Sequence, residues 1–113
     1  MDLAENYRVN SLLEFYYPLL TRKQQEYMRN YFIDDYSLGE ISQNFKVSRQ
    51  AVYDNLRRAV NILEKYEQEL HLYKYFVARN QLIDHIQNYV DHHYPKDKHI
   101  SLMIKRLEHL EDK

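Results

Sequence analysis

A single glycine, Gly39, and two prolines, Pro18 and Pro95, are all the backbone punctuation that 113 residues contain. A sheet protein that closes many hairpins needs Gly and Pro turn chemistry that this chain lacks, so the sequence predicts helices separated by few breaks. A chain of 113 residues suits one all-helical domain, or a small domain with an appended dimerising arm. With 44% hydrophobic and 29% charged residues it has material for a core beneath a solvated surface, which argues against general disorder. No run approaches the roughly 18 apolar residues of a membrane span. The opening MDLAENYRVN carries acids where a signal peptide has a basic start and an apolar core, so the expected location is the cytoplasm, with no membrane insertion. The absence of Cys excludes disulfides, thiolate metal sites and a Cys nucleophile, and fits a reducing compartment.

Helix boundaries come from capping signals. Leu3, Tyr7, Leu12, Leu13, Tyr16, Tyr17 and Leu20 recur at helical spacing, with Pro18 as the stop. Thr21-Arg22-Lys23-Gln24 is a Thr-x-x-Gln capping box that opens a second helix to about Phe32, with Tyr27, Met28, Tyr31 and Phe32 as its apolar stripe. Ser37-Leu38-Gly39-Glu40 repeats the signature ahead of a short helix holding Leu38, Ile41 and Phe45 on one side. After a turn at about Asn44 to Val47, Ser48 is a third N-cap, and Arg49 begins a fourth helix.

A short helix, a tight turn and a second helix packed on the first make a helix-turn-helix, here centred on Ser37 to Ala59 with Ile41, Phe45, Val47, Val52 and Leu56 as its expected inner core. Gln50, Tyr53, Asp54 and Arg57 share the opposite face of the second helix, and Arg49 flanks it. Arg pairs bidentately with guanine and Gln with adenine, while Lys46, Arg57, Arg58 and the helix start at Ser48 suit phosphates. The predicted nucleic-acid-binding set is therefore Lys46, Ser48, Arg49, Gln50, Tyr53, Asp54, Arg57 and Arg58, with DNA as the partner and RNA as an alternative. The net charge of −1 gives no global attraction to phosphate, but residues 46 to 65 carry five cations against two carboxylates. A solvated outer helix face would show the same residue types.

Leu20-Thr21 with Gln24-Gln25, the run Ser37 to Ser42 and the run Val47 to Ala59 resemble sigma-factor region four. Over nearly its whole length, including Phe15-Tyr16, Asp35-Tyr36-Ser37 and Ser48 to Asn55, the chain resembles the YlxM-like family of Firmicutes and mollicutes. That resemblance implies a helix-turn-helix protein encoded beside signal recognition particle genes, and so a regulator or accessory factor of co-translational targeting with a particle component as a partner. Two residues depart from commoner helix-turn-helix sequences: Ser42 replaces the usual Ala, and Lys46 stands where Gly often makes the turn.

Leu56, Leu63, Leu70 and Val77 recur every seven residues, as do Ala59, Tyr66 and Tyr73. This seam predicts one long helix from Arg49 to about Val77, a split into residues 1–62 and 63–113, and a homodimer through Leu63, Tyr66, Leu70, Tyr73 and Val77. A helix packed on its own domain would carry a similar stripe. Two C-terminal helices are expected around Leu82 to Val90 and Ile100 to Leu110, divided by Pro95. The fold class is thus all-α, a sigma region-four-like bundle with a long helix and C-terminal helices.

Tyr66, Tyr73, Tyr75 and Phe76 could stack RNA bases, but their place on the apolar stripe favours core and interface. His85, His92, His93 and His99 lie near Asp84 and Asp91 without the His-x-x-x-His spacing that puts two imidazoles on one helix face, so no metal is expected. A lone Gly39 builds neither a phosphate loop nor a nucleophile elbow, so neither a cofactor, a small-molecule substrate nor catalysis is expected. The alternative to a DNA-binding regulator is an adaptor that contacts the signal recognition particle protein or RNA without binding DNA.

Overall fold

The computed structural model describes residues 3–112, which form helices and no strands. They are α1 (Leu3–Tyr16), a 3-10 turn (Tyr17–Leu19), α2 (Arg22–Met28) running into a π-helical turn (Arg29–Ile33), α3 (Leu38–Phe45), α4 (Arg49–Leu70), α5 (Leu72–His93) and α6 (Lys98–Glu108). All three expected caps are present. In two of them the box is reciprocal: the Gln24 N–H donates to Thr21 Oγ1 at 3.2 Å while Gln24 Oε1 accepts from the Thr21 N–H at 2.9 Å, and Glu40 with Ser37 repeats this at 3.0 and 3.2 Å. Ser48 Oγ accepts from the Ala51 N–H at 3.0 Å and opens α4.

The chain divides into two compact units between Tyr73 and Lys74, not between residues 62 and 63. The difference arises because the second half of α4 is part of the first unit's core. That core is Val9, Leu12, Leu13 and Tyr16 of α1, Leu20, Tyr27 and Met28 at α2, Phe32, Ile41 of α3, and Val52, Leu56, Ala59, Val60 and Leu63 of α4. Helices α1, α2 and α3 all pack on α4. Arg8 of α1 reinforces this with a two-pronged ion pair to Glu64, Nε to Oε1 at 2.7 Å and Nη2 to Oε2 at 2.8 Å, which raises the guanidinium pKa further above its ordinary value.

The continuous helix to Val77 is not found. It stops at Leu70, where His71 takes a left-handed conformation (φ 56°, ψ 28°), and α5 starts afresh at Leu72. The cause is a buried acid. Glu67 lies on the inward face of α4, where its Oε1 accepts from the Tyr16 hydroxyl at 2.6 Å and from the Tyr73 N–H at 3.0 Å, and the Leu72 N–H donates to the Tyr16 oxygen at 3.1 Å. The orphan donors at the start of α5 are thus satisfied by Tyr16, remote in sequence, and by Glu67, six residues before Tyr73, which fixes the break where no Gly or Pro marks it.

This break divides the heptad seam. Leu63 is fully buried in the first unit, Tyr66 stacks on Tyr16 at 5.9 Å, and Tyr73 packs beside Phe15 at 6.1 Å, so these three are used within the chain. Leu70 and Val77 remain exposed, on different helices. In the second unit, α5 beyond Tyr73 and α6 form a hairpin through residues 94–97, with Ile83, Val90 and Ile104 buried and Ile100 packed against them.

Candidate nucleic-acid interface

The geometry of the motif is set at its turn. Lys46 adopts φ 56° and ψ 44°, the left-handed conformation that Gly takes at low cost, and it does so as a Lys. The Val47 N–H donates to the Ser42 carbonyl at 3.1 Å, closing the end of α3 in the manner of a Schellman turn. Ser42 turns its hydroxyl back to the Gly39 carbonyl at 2.8 Å, which satisfies the polar atom that distinguishes it from Ala. Phe45 stacks on the buried Tyr27 ring at 4.6 Å and Ile41 is fully buried, whereas Val47, expected in the inner core, is 37% exposed on the outside of the turn.

Lys46, Ser48, Arg49, Gln50, Tyr53, Asp54 and Arg58 are exposed, and Arg57 is half-buried. The eight residues therefore fall on the outer side of the turn and α4, but their side chains are not equally available. Arg57 Nη1 lies 2.6 Å from Glu5 Oε1 of α1, so this guanidinium is already held by a carboxylate. Gln50 Nε2 donates to Asp54 Oδ1 at 2.9 Å, a bond along the helix face that occupies both groups. Arg49 reaches across to α3: a Cβ added at Gly39 would meet Arg49 Nη2 at 3.0 Å, so the guanidinium lies over this glycine. The missing side chain of Gly39 serves here as space, not as backbone freedom.

No ion pair holds Lys46, Arg49 or Arg58 among the described residues. Further along α4, Arg58, Asn61, Ile62 and Lys65 border a shallow groove of about 340 Å³, so Arg58 and Lys65 extend the cationic side of the helix. Ser48 adds backbone N–H groups at the α4 start, which together with the helix dipole favour an anion. Sequence reasoning missed Glu5 as a competitor for Arg57, because a long-range ion pair leaves no local pattern. It missed Lys65 as an extension of the cationic stripe, although the seven-residue spacing from Arg58 is visible.

The aromatic and histidine clusters are arranged otherwise. Tyr66 and Tyr73 pack against the first core and Tyr75 is 55% exposed. His92 and His93 turn their Nδ1 atoms to the Asn88 and Tyr89 carbonyls at 2.8 and 3.2 Å, and no group of three His, Asp or Glu residues converges as a metal cage among the described residues. A second groove of about 490 Å³, bordered by Leu13, Tyr17, Arg29, Phe32 and Ile33, shares no residue with the predicted contact set. No helix among the described residues is long and apolar enough to cross a membrane.

A family described as "Putative helix-turn-helix protein, YlxM / p13 like" matches residues 3–105. The chain belongs to this family. Among its relatives, the "UPF0122 protein" of Limosilactobacillus reuteri is 56% identical over 112 residues, 99% of each chain. Those of Pediococcus pentosaceus and Lactiplantibacillus plantarum are 55% and 54% identical, covering 99% of both chains and 98% and 96% respectively. The helix-turn-helix of α3 and α4 lies within the matched residues, and the family match extends through α5 to Lys105 in α6.

Proposed function

We propose that the chain is a cytoplasmic, non-enzymatic regulatory protein that binds duplex DNA as a homodimer, laying the first half of α4 in the major groove. The observation that carries this reading is the row of Lys46, Arg49, Tyr53 and Arg58, exposed around the Ser48-capped start of α4 and unpaired with acids. In this reading Arg49 and Tyr53 meet base edges, and Lys46, Arg58 and the α4 N-terminus meet phosphates. A near-neutral chain binds by this local patch alone, so its affinity depends steeply on salt. The resemblance to the YlxM-like family supports a regulatory role linked to the signal recognition particle.

The Glu5–Arg57 pair and the Gln50–Asp54 bond favour a second reading, because they occupy half of the reading face with internal partners. In that reading the motif is a packing unit, and the chain is an adaptor that contacts the particle's protein or RNA. Binding of the purified protein to genomic DNA fragments and to reconstituted signal recognition particle, with Arg49→Ala/Arg58→Ala as control, separates the two. Selective DNA retention that the double variant loses supports the regulator. Binding to the particle alone, unaffected by that variant, overturns it.

A further inference from the structure

Three aliphatic side chains, Ile83, Val90 and Ile104, are the buried core of the α5–α6 hairpin. For about forty residues that is thin, and units of this size ordinarily need a disulfide, a metal or oligomerisation to hold together. The chain has no Cys. Much of the hairpin's apolar surface is instead uncovered. On α5, Leu82, Ile86 and Tyr89 are 60%, 39% and 56% exposed, on α6 Met103 and Leu107 are 48% and 47% exposed, and Leu110, in the turn just after α6, is 75% exposed. Leu82, Ile86 and Tyr89 on α5, and Met103 with Leu107 on α6, follow the three- and four-residue spacing that makes one stripe on a helix.

These two stripes share a face. At about 100° per residue, each lies roughly 70° to one side of the buried line of its own helix. Ile83 and Val90 meet Ile104 and Ile100 across a hairpin, so α5 and α6 run in opposite directions, and equal offsets on antiparallel helices bring both stripes to the same side. Asp84, Asp91, Lys98 and Lys105 fall on the other side, all exposed. The hairpin is therefore one layer of helices with most of its exposed apolar side chains on one surface, while the reverse carries the four charges and a single exposed leucine, Leu102, beside Lys98 and Lys105, which resembles half of a two-layer helical structure.

We propose that this apolar face is the homodimer interface, and that its occupant is the same face of a second copy. The proposal rests on the homodimer reading above and moves its surface from the α4 seam to α5 and α6. At 39% to 75% exposure, complete burial of these six residues would cover on the order of 600 to 700 Å², which approaches the roughly 800 Å² per partner of a standard stable interface. The exposed side chains named above are uncharged, and Arg79, one heptad before Ile86 on the α5 stripe, is already paired with Glu111, so little on this face addresses a partner of opposite sign. An isologous pairing matches the face to itself by symmetry and completes a four-helix core. Arg79 and Glu111, paired at 2.7 Å, tie α5 to the chain just beyond α6.

Sedimentation equilibrium of the full chain tests this. The expected result is a dimer for the unaltered protein, and association weakened about 30-fold or more by Ile86→Asp or Leu107→Asp, the size of effect of an interface hot spot, with helical circular dichroism retained. As a second measurement, Leu82→Cys in a chain without native Cys yields a covalent dimer with a short bismaleimide. A monomeric unaltered protein at micromolar concentration overturns the homodimer reading and this surface together. A dimer that both Asp variants leave intact, or that Leu82→Cys fails to crosslink, overturns the surface alone.

Discussion

The hydroxyl of Tyr16 donates to Glu67 Oε1 across 2.6 Å, and that same oxygen accepts the Tyr73 N–H at 3.0 Å, so a buried phenol and a buried carboxylate together set the start of α5. Desolvation, and then the hydrogen bond to Glu67, push the Tyr16 pKa up to about 12 from its ordinary 10. Because the folded value lies above the unfolded one, the stabilisation is fully present below about pH 10 and is lost as pH rises towards 12, about 2 to 3 kcal/mol in all. Urea unfolding of the native chain and Tyr16→Phe across this range checks it: the alkaline fall attributable to Tyr16 disappears in the variant. At neutral pH the same variant loses about 1 to 3 kcal/mol, because Glu67 and the Leu72 N–H each lose a buried partner.

Leu63 and Leu70 sit one heptad apart and differ in burial, 0% against 47% exposed. Leu63→Ala is expected to cost about 2 to 5 kcal/mol in a denaturant titration, and Leu70→Ala less than about 1 kcal/mol. Equal costs would mean that Leu70 is covered in solution, as an α4 seam requires.

Glu5 restrains Arg57 through a 2.6 Å ion pair whose side chains keep 32% and 42% of their exposure. Glu5→Gln should therefore change stability by no more than about 1 kcal/mol. If the α4 face binds DNA, releasing the guanidinium tightens binding several-fold and steepens the plot of log affinity against log salt by about 0.9. Fluorescence anisotropy at several salt concentrations reads both.

Gly39→Ala separates packing from binding. The new methyl meets only the far end of Arg49, and Ala is favoured over Gly in a helix by about 0.5 to 1 kcal/mol, so the thermal midpoint holds or rises. The guanidinium loses its seat, and DNA affinity falls towards that of Arg49→Ala.

Lys46→Gly relieves a left-handed Lys, a strain of about 1 to 2 kcal/mol partly offset by the greater freedom of Gly in the unfolded chain. A net gain of about 1 kcal/mol is expected in denaturant unfolding. Loss of the charge should weaken DNA binding equally for all sequences and reduce the salt slope by about 0.9.

Features written in consecutive residues were legible in the sequence. Thr21 with Gln24, Ser37 with Glu40, and Ser48 announced three helix starts, because a capping bond spans only three residues. The outer face of α4 followed from helical spacing. Features that depend on distant partners were not legible. The break at His71 is made by Tyr16 and Glu67, and its one local trace is an acid four residues after Leu63 on a face that is otherwise apolar. In the heptad spacing Leu63, Tyr66 and Tyr73 look alike whether their neighbours come from the same chain or from another. Tyr7, read as part of the α1 stripe, is 71% exposed, and Val9, which was not, is buried, since a phenol tolerates water where Val does not.

The Tyr16–Glu67 bond also imposes an order of events on a chain being synthesised. Its two residues lie 51 positions apart, and the helix it starts comes after both. At about 5–20 residues per second, α1 emerges and waits roughly 3 to 10 s before the residue that anchors it exists. Val52 to Leu63, the α4 residues that share a core with Val9, Leu12 and Leu13, are made shortly before Glu67. Tyr73 is the last residue of the first unit, so the Tyr16–Glu67–Tyr73 link is among the last contacts of that unit that a growing chain can make.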